Sequence, residues 1–102
     1  MPKGYLIARV DIHDMESYKA NYMAFNGAVF AKYKARFLVR SGTHEAPEGH
    51  ARGRNIVLEF PDYATALACY HSPEYRELTA TRNKYSEADI LLIEGYDGPQ
   101  PE

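Results

Sequence analysis

Residues 54–63, Arg54-Asn55-Ile56-Val57-Leu58-Glu59-Phe60-Pro61-Asp62-Tyr63, decide how this chain folds. Ile56, Leu58 and Phe60 fall on one side of an extended chain, and Asn55, Val57 and Glu59 on the other, which is the period of two of a β-strand. Pro61 has no N–H to give to a sheet ladder and ends the strand. Asp62 then supplies an N-cap for a helix that begins beside it. One short stretch thus holds a strand, its stop and a helix start.

Upstream, Ser41 to Gly53 is polar and punctuated by Gly42, Pro47, Gly49 and Gly53, as a long hairpin loop would be. Before it, Arg36 to Arg40 alternates as a second strand. Further back, Met15, Tyr18, Tyr22, Phe25, Val29 and Tyr33 recur at spacings of three and four, one apolar stripe on a helix of roughly five turns. Asp14 caps that helix, and Glu16 in its first turn favours the helix dipole. Gly27 inside it is read as a point of close packing. Tyr5 to Ile12 is the first strand. Downstream, Tyr63, Leu67 and Tyr70 form one helical stripe. Ser72 and Pro73 suit a second helix start, and Tyr75, Leu78, Arg82 and Tyr85 continue from it. Ile90 to Tyr96 is the last strand.

The order is β-α-β-β-α-β, the ferredoxin-like plan: an α+β sandwich in which a four-stranded antiparallel sheet carries helices on one face. Right-handed crossovers put strand one between strands three and four, with strand two outside strand three. Alternation assigns Leu6, Ala8, Val10 and Ile12, Phe37 and Val39, Ile56, Leu58 and Phe60, and Leu91 and Ile93 to the helix-covered face. The other face receives Tyr5, Ile7, Arg9 and Asp11, Arg36, Leu38 and Arg40, Asn55, Val57 and Glu59, and Ile90, Leu92 and Glu94. Its aliphatic residues make too much apolar surface for water, so a homodimer packed sheet to sheet is expected.

Length and composition fit one domain over residues 1–97, with 98–102 (Gly98-Pro99-Gln100-Pro101-Glu102) as a flexible tail. The chain has 102 residues and a formal net charge of −2, which disfavours nucleic acid as a partner. Its single cysteine, Cys69, allows no internal disulfide and no thiolate cluster. No signal peptide or membrane-length apolar run is read, so the cytoplasm is the expected location.

Several stretches together carry a resemblance to a known family. They are Gly4-Tyr5-Leu6-Ile7-Ala8, Arg36-Phe37-Leu38-Val39-Arg40, Glu48-Gly49, Ile56-Val57-Leu58-Glu59-Phe60-Pro61, Tyr70-His71-Ser72-Pro73-Glu74-Tyr75 and Arg82. In order and coverage the chain resembles the family called "domain of unknown function 1330", within the dimeric α/β-barrel superfamily. The resemblance implies a ferredoxin-like fold and a two-sheet dimer. The superfamily spans cofactor-free monooxygenases, isomerases, haem enzymes and ligand sensors, so it does not choose an activity. Two positions depart from the family. Lys34-Ala35 stands where Gly-Gly is usual, which puts a tight left-handed helix end in doubt. Cys69 stands where Trp is common, which would enlarge or refill any pocket there.

Candidate site residues fall into groups. Taking strands one and three as running the same way, Arg9 and Arg36 flank Glu59, either as a carboxylate-binding pair of guanidiniums or as an ion network inside the dimer. His71 is a weak candidate for a general base, while its neighbour Ser72 reads as a cap. Tyr18, Tyr22, Tyr70 and Tyr75 lie on helix faces aimed at the sheet, with Asn26 as a polar handle. They line a cavity for an aromatic ligand or simply pack the core. His44, Glu45, Glu48 and His50 share the long loop at no metal-binding spacing. No metal or organic cofactor is expected. Three functions remain: a cofactor-independent enzyme acting on a small aromatic or carboxylated metabolite, a non-catalytic small-molecule-binding or stress-linked dimer, or, behind these two, a purely structural interaction module.

Overall fold

A computed structural model describes residues 2–101. β1 (Gly4–Ile12) leads into α1 (Met15–Tyr18), a π-helical segment (Lys19–Met23) and α2 (Ala24–Lys32), which together form one continuous helical rod. β2 (Arg36–Arg40) and β3 (Arg54–Phe60) come next, then α3 (Tyr63–Tyr70), α4 (Pro73–Arg82) and β4 (Ser86–Glu94). The sheet order is β2-β3-β1-β4 and every neighbouring pair is antiparallel. This is the ferredoxin-like plan, with the helices on one face.

Local chemistry explains the element starts. Asp14, Asp62 and Ser72 each accept a hydrogen bond from a backbone N–H three residues on, from Ser17, Thr65 and Tyr75 respectively. Each satisfies a donor that its helix leaves open. Gly4 lies against the turn that opens α3: a Cβ there would meet the Asp62 carbonyl oxygen at 2.5 Å. The end of α2 is closed by a full Schellman motif without glycine. Lys34 adopts φ 60°, Ala35 N–H donates to Phe30 O at 2.9 Å, and Lys34 N–H donates to Ala31 O at 3.1 Å. The left-handed end therefore forms on lysine, at the usual cost of a Cβ in that region.

The π segment corrects the helical stripe. A wider turn at Lys19–Met23 rotates the remainder of the rod about its axis. Tyr18 and Tyr22 are buried as the spacing predicts, but the next deeply buried residue is Phe30, and Phe25 is 57% exposed. Gly27 is not a point of close packing, because a Cβ there would meet nothing within 4 Å.

Register corrects the faces of two strands. Residues directly opposite each other share a face. β4 begins at Ser86, four residues before the expected start, and pairs Leu92 with Leu6 and Ile90 with Ala8. Ile90 and Leu92 thus lie under the helices, while Leu91 and Ile93, opposite Ile7 and Tyr5, lie on the open face. In β2 the pairing steps from Phe37↔Leu58 to Val39↔Val57, leaving Leu38 as the extra residue of a bulge. Val39 is thereby moved to the open face and Arg40, opposite Ile56, to the helix side. Leu6, Val10, Leu58 and Phe60 form the floor of the core, with Cys69, Tyr75 and Phe30 packed above.

Candidate functional site

Antiparallel pairing of β1 with β3 breaks up the expected Arg9–Glu59–Arg36 group. Glu59 lies opposite Tyr5, whereas Arg9 lies opposite Asn55, four rows away. Strands one and three run in opposite directions, so residues late in one are beside residues early in the other. Arg36 does reach Glu59, with Nε 3.7 Å from Oε1, and the Tyr5 hydroxyl donates to Glu59 Oε2 at 3.3 Å. Arg9 instead donates from Nη2 to the His50 carbonyl at 2.8 Å and helps tie the long loop to the sheet. All these side chains sit on the open face.

Beneath the helices the strands enclose a different site. A cavity of about 30 Å³ lies between the rod and the sheet, floored by Leu6, Ala8, Val10, Ile56 and Leu58. Tyr18 and Tyr22 enter from the rod on either side of the α1–π junction, Asn26 from the first turn of α2, and Tyr75 from α4. The Tyr22 and Tyr75 hydroxyls meet at 2.6 Å, a buried bond between side chains 53 positions apart. Rings of Tyr18 and Tyr22 are tilted at 5.2 Å, and Phe30 packs on Tyr75 at 5.4 Å. Burial, then the Tyr22 hydroxyl, pushes the Tyr75 phenol well above its usual value. Burial also raises Tyr18, against the pull of Arg54 and Arg82. At neutral pH these two phenols are neutral hydrogen-bonding groups rather than bases.

Three arginines complete the lining: Arg40 from β2, Arg54 from β3 and Arg82 from α4. Arg54 stands opposite Val10, on the helix side of the sheet. Arg82 is 4% exposed. Its Nη2 donates to Asn83 Oδ1 at 3.3 Å, its guanidinium lies 5.7 Å from the Tyr22 ring centre, and its Nε has no partner. Burial works against its charge, but the surrounding phenols, led by Tyr22, outweigh that and raise its pKa. Among the described residues no Asp, Glu, Lys or His lines this cavity.

Of the residues picked out from sequence, then, Tyr18, Tyr22, Asn26 and Tyr75 converge on the cavity, whereas Tyr70 does not line it. Arg9, Arg36 and Glu59 lie on the other side of the sheet. His71 is exposed at the end of α3, its ring edge-on to Tyr70 at 5.4 Å, and does not line the cavity. Ser72 Oγ donates to Cys69 O at 2.7 Å and accepts from Tyr75 N–H, so it is a capping group. Cys69 is fully buried and burial raises its thiol to about 11, the state of an inert core residue. Among the described residues, no three His, Cys, Asp or Glu side chains come together as metal ligands, and no helix is long and apolar enough to cross a membrane.

Sequence reasoning misses Arg40, Arg54 and Arg82 as a group. Strict alternation from Arg36 puts Arg40 on the wrong face, because a bulge is invisible to it. Arg54 reads only as the start of a strand. The available signal is Arg82, a charge at a stripe position seven residues after Tyr75, two turns along the buried face.

Solved structures share this architecture. A crystal structure of RPA0582, a protein of unknown function from Rhodopseudomonas palustris, superposes with TM-score 0.72 at 14% identity, over 95% of this chain and 85% of that one. SnoaB from Streptomyces nogalater, a cofactor-independent oxygenase, superposes with TM-score 0.63 at 14% identity over the whole of both chains. HapK from Hahella chejuensis gives 0.62 at 14% identity, over 97% of this chain and 98% of the other. At such identity these likenesses establish the fold alone, the ferredoxin-like α+β plan. A comparison with curated proteins gave no match. The family model for "Domain of unknown function (DUF1330)" matches residues 3–96, nearly the whole chain, and the chain belongs to that family.

Proposed function

We propose that the protein is a homodimer that takes a small aromatic or carboxylated metabolite into the cavity between helices and sheet and acts on it without a cofactor. The observation that carries this reading is the buried Tyr22–Tyr75 hydroxyl pair, which converges with Asn26 on a partly enclosed space. A purely structural core has no need of two facing phenols, since phenylalanine packs as well and brings no polar atom to satisfy. A donor set of phenols, guanidiniums and one amide suits an organic ligand better than a metal ion. SnoaB, a fold neighbour, is an oxygenase that uses no cofactor, and this lends support at the level of fold alone.

The dimer reading rests on the open face. Ile7, Val39, Val57, Leu91 and Ile93 lie there, and Leu91 and Ile93 are 52% and 45% exposed. A second copy of the same face would cover them with a self-complementary surface.

One observation favours a non-catalytic binder instead: the lining has no side chain that acts as a base at neutral pH. Turnover would then depend on a substrate that ionises readily by itself. The deciding experiment combines mass spectrometry of whatever ligand co-purifies with an oxygen-uptake and product assay on that ligand. Turnover lost in Tyr22→Phe supports the enzyme, and saturable binding without turnover supports the binder. A protein that carries no ligand and binds no aromatic acid or phenol overturns both.

A further inference from the structure

We infer that the cavity's ligand is an organic anion whose carboxylate docks against Arg82, with Arg54 and Arg40 flanking it. This rests on the reading of the cavity as a ligand site and names the chemistry it selects. Among the described residues there are five ion pairs, whose cations are Arg36, Arg52 and Lys32. Arg40, Arg54 and Arg82 take part in none of them, yet these three surround one cavity whose lining contains no acid. With Arg82 buried, Arg54 half-buried and Arg40 exposed, this excess of like charge is most costly at Arg82 unless an anion answers it.

Arg82 is the strongest element. It is 4% exposed, and its buried Nε lacks any partner. Arg76 shows what an accounted-for guanidinium looks like in the same helix. It also has one unpartnered nitrogen, Nη2, but its Nε donates to Tyr70 O at 2.8 Å and its plane stacks 3.9 Å over the Tyr70 ring. Arg76 does not line the cavity. Arg82 has a longer hydrogen bond to Asn83 and sits over the Tyr22 ring at 5.7 Å, and its Nε is left without a partner.

The phenol pair adds a neutral donor. Two hydroxyls share two protons, and their mutual bond at 2.6 Å uses one. The other is free to reach a ligand oxygen. A planar carboxylate matches the fork of a guanidinium, with a phenolic O–H serving a remaining lone pair. Size agrees with a head-group site. About 30 Å³ holds roughly a water molecule or a small planar group, and the ligand's body lies toward Arg40, an exposed residue stacked 4.5 Å over Phe37 at the edge strand.

The test is calorimetric titration of the full chain with benzoate, phenylacetate and 2-naphthoate, with the matching neutral amides, and with inorganic phosphate. At least one acid is expected to bind ten times or more tightly than its amide. Arg40→Gln and Arg54→Gln, on less buried positions, are each expected to weaken that acid at least threefold and leave the amide unchanged. Arg82→Gln is expected to abolish the preference for acid over amide if it folds, and the two other variants carry the test if it does not. Acids and amides that bind equally, with both weakened by Tyr22→Phe, overturn the anion assignment while leaving the cavity as a ligand site. Tighter binding of phosphate than of every acid overturns the carboxylate class. Binding of none of these probes overturns the ligand site itself.

Discussion

The two faces of the sheet handle charge in opposite ways. On the open face the charges answer one another: Arg36 meets Glu59, and Arg52 is held by Asp11 at 2.8 Å and Asp89 at 2.9 Å. Between them lie aliphatic side chains with nothing over them. On the helix-covered face the aliphatic side chains are buried or half-buried under the helices, and it is the arginines that have no acidic partner. A surface with satisfied charges and unsatisfied apolar groups calls for a protein surface of its own kind. A cavity with satisfied apolar walls and unsatisfied cations calls for a small anion. The same strands, read on alternate residues, thus present two different incomplete surfaces.

The largest expected effect comes from the open face. Leu91→Asp puts an unpaired charge at its centre. If this face is the dimer contact, dissociation should rise more than a hundredfold, about 3 kcal/mol or more, because burying a lone carboxylate costs several. Sedimentation at micromolar concentration reads it. A variant as dimeric as the native chain would break the comparison on that side.

A smaller effect separates the two kinds of polar group. Tyr75→Phe removes a buried bond and strands the Tyr22 hydroxyl, at about 1–3 kcal/mol in urea unfolding. Glu59→Gln, by contrast, removes a long contact to a 72% exposed Arg36 side chain and should cost the isolated protomer under about 1 kcal/mol. The reverse order would mean that the open-face ion pair, rather than the cavity, is the protomer's structural anchor.

The smallest effect concerns the helix layer alone. Lys34→Gly relieves the left-handed residue that closes α2 and should stabilise the chain by about 1 kcal/mol. Both surfaces should be unaltered, so ligand binding and dimerisation serve as controls. A destabilised variant would mean that the Lys34 side chain makes up for its backbone strain.

Strand order, the positions of Asp14, Asp62 and Ser72 as caps, and the inward faces of β1 and β3 are legible in the residues, because period-two alternation and capping chemistry are local. The features that escape such a reading depend on single-residue shifts. One extra residue at Leu38 flips Arg40 from one face to the other. One wide turn at Lys19–Met23 moves Phe25 out and brings Phe30 in. The earlier start of β4 at Ser86 exchanges Ile90 and Leu92 with Leu91 and Ile93. The Arg9–Glu59 pairing fails for a different reason: it needs β1 and β3 to run parallel, and their own connections make them antiparallel. As a result three of the four tyrosines named from spacing, Tyr18, Tyr22 and Tyr75, line the cavity with Asn26, while Tyr70 does not and the cations escape such a reading.

The most direct test of this division is a methyl and arginine side-chain NMR titration of the native protein with 2-naphthoate. Shifts are expected to centre on Arg82, Arg54, Arg40 and the methyls of Leu6 and Leu58, with Ile7, Val57 and Leu91 responding only to dilution. Shifts centred on Arg9 and Arg36, with the helix-side residues silent, would contradict the assignment of the anion to the helix-covered face.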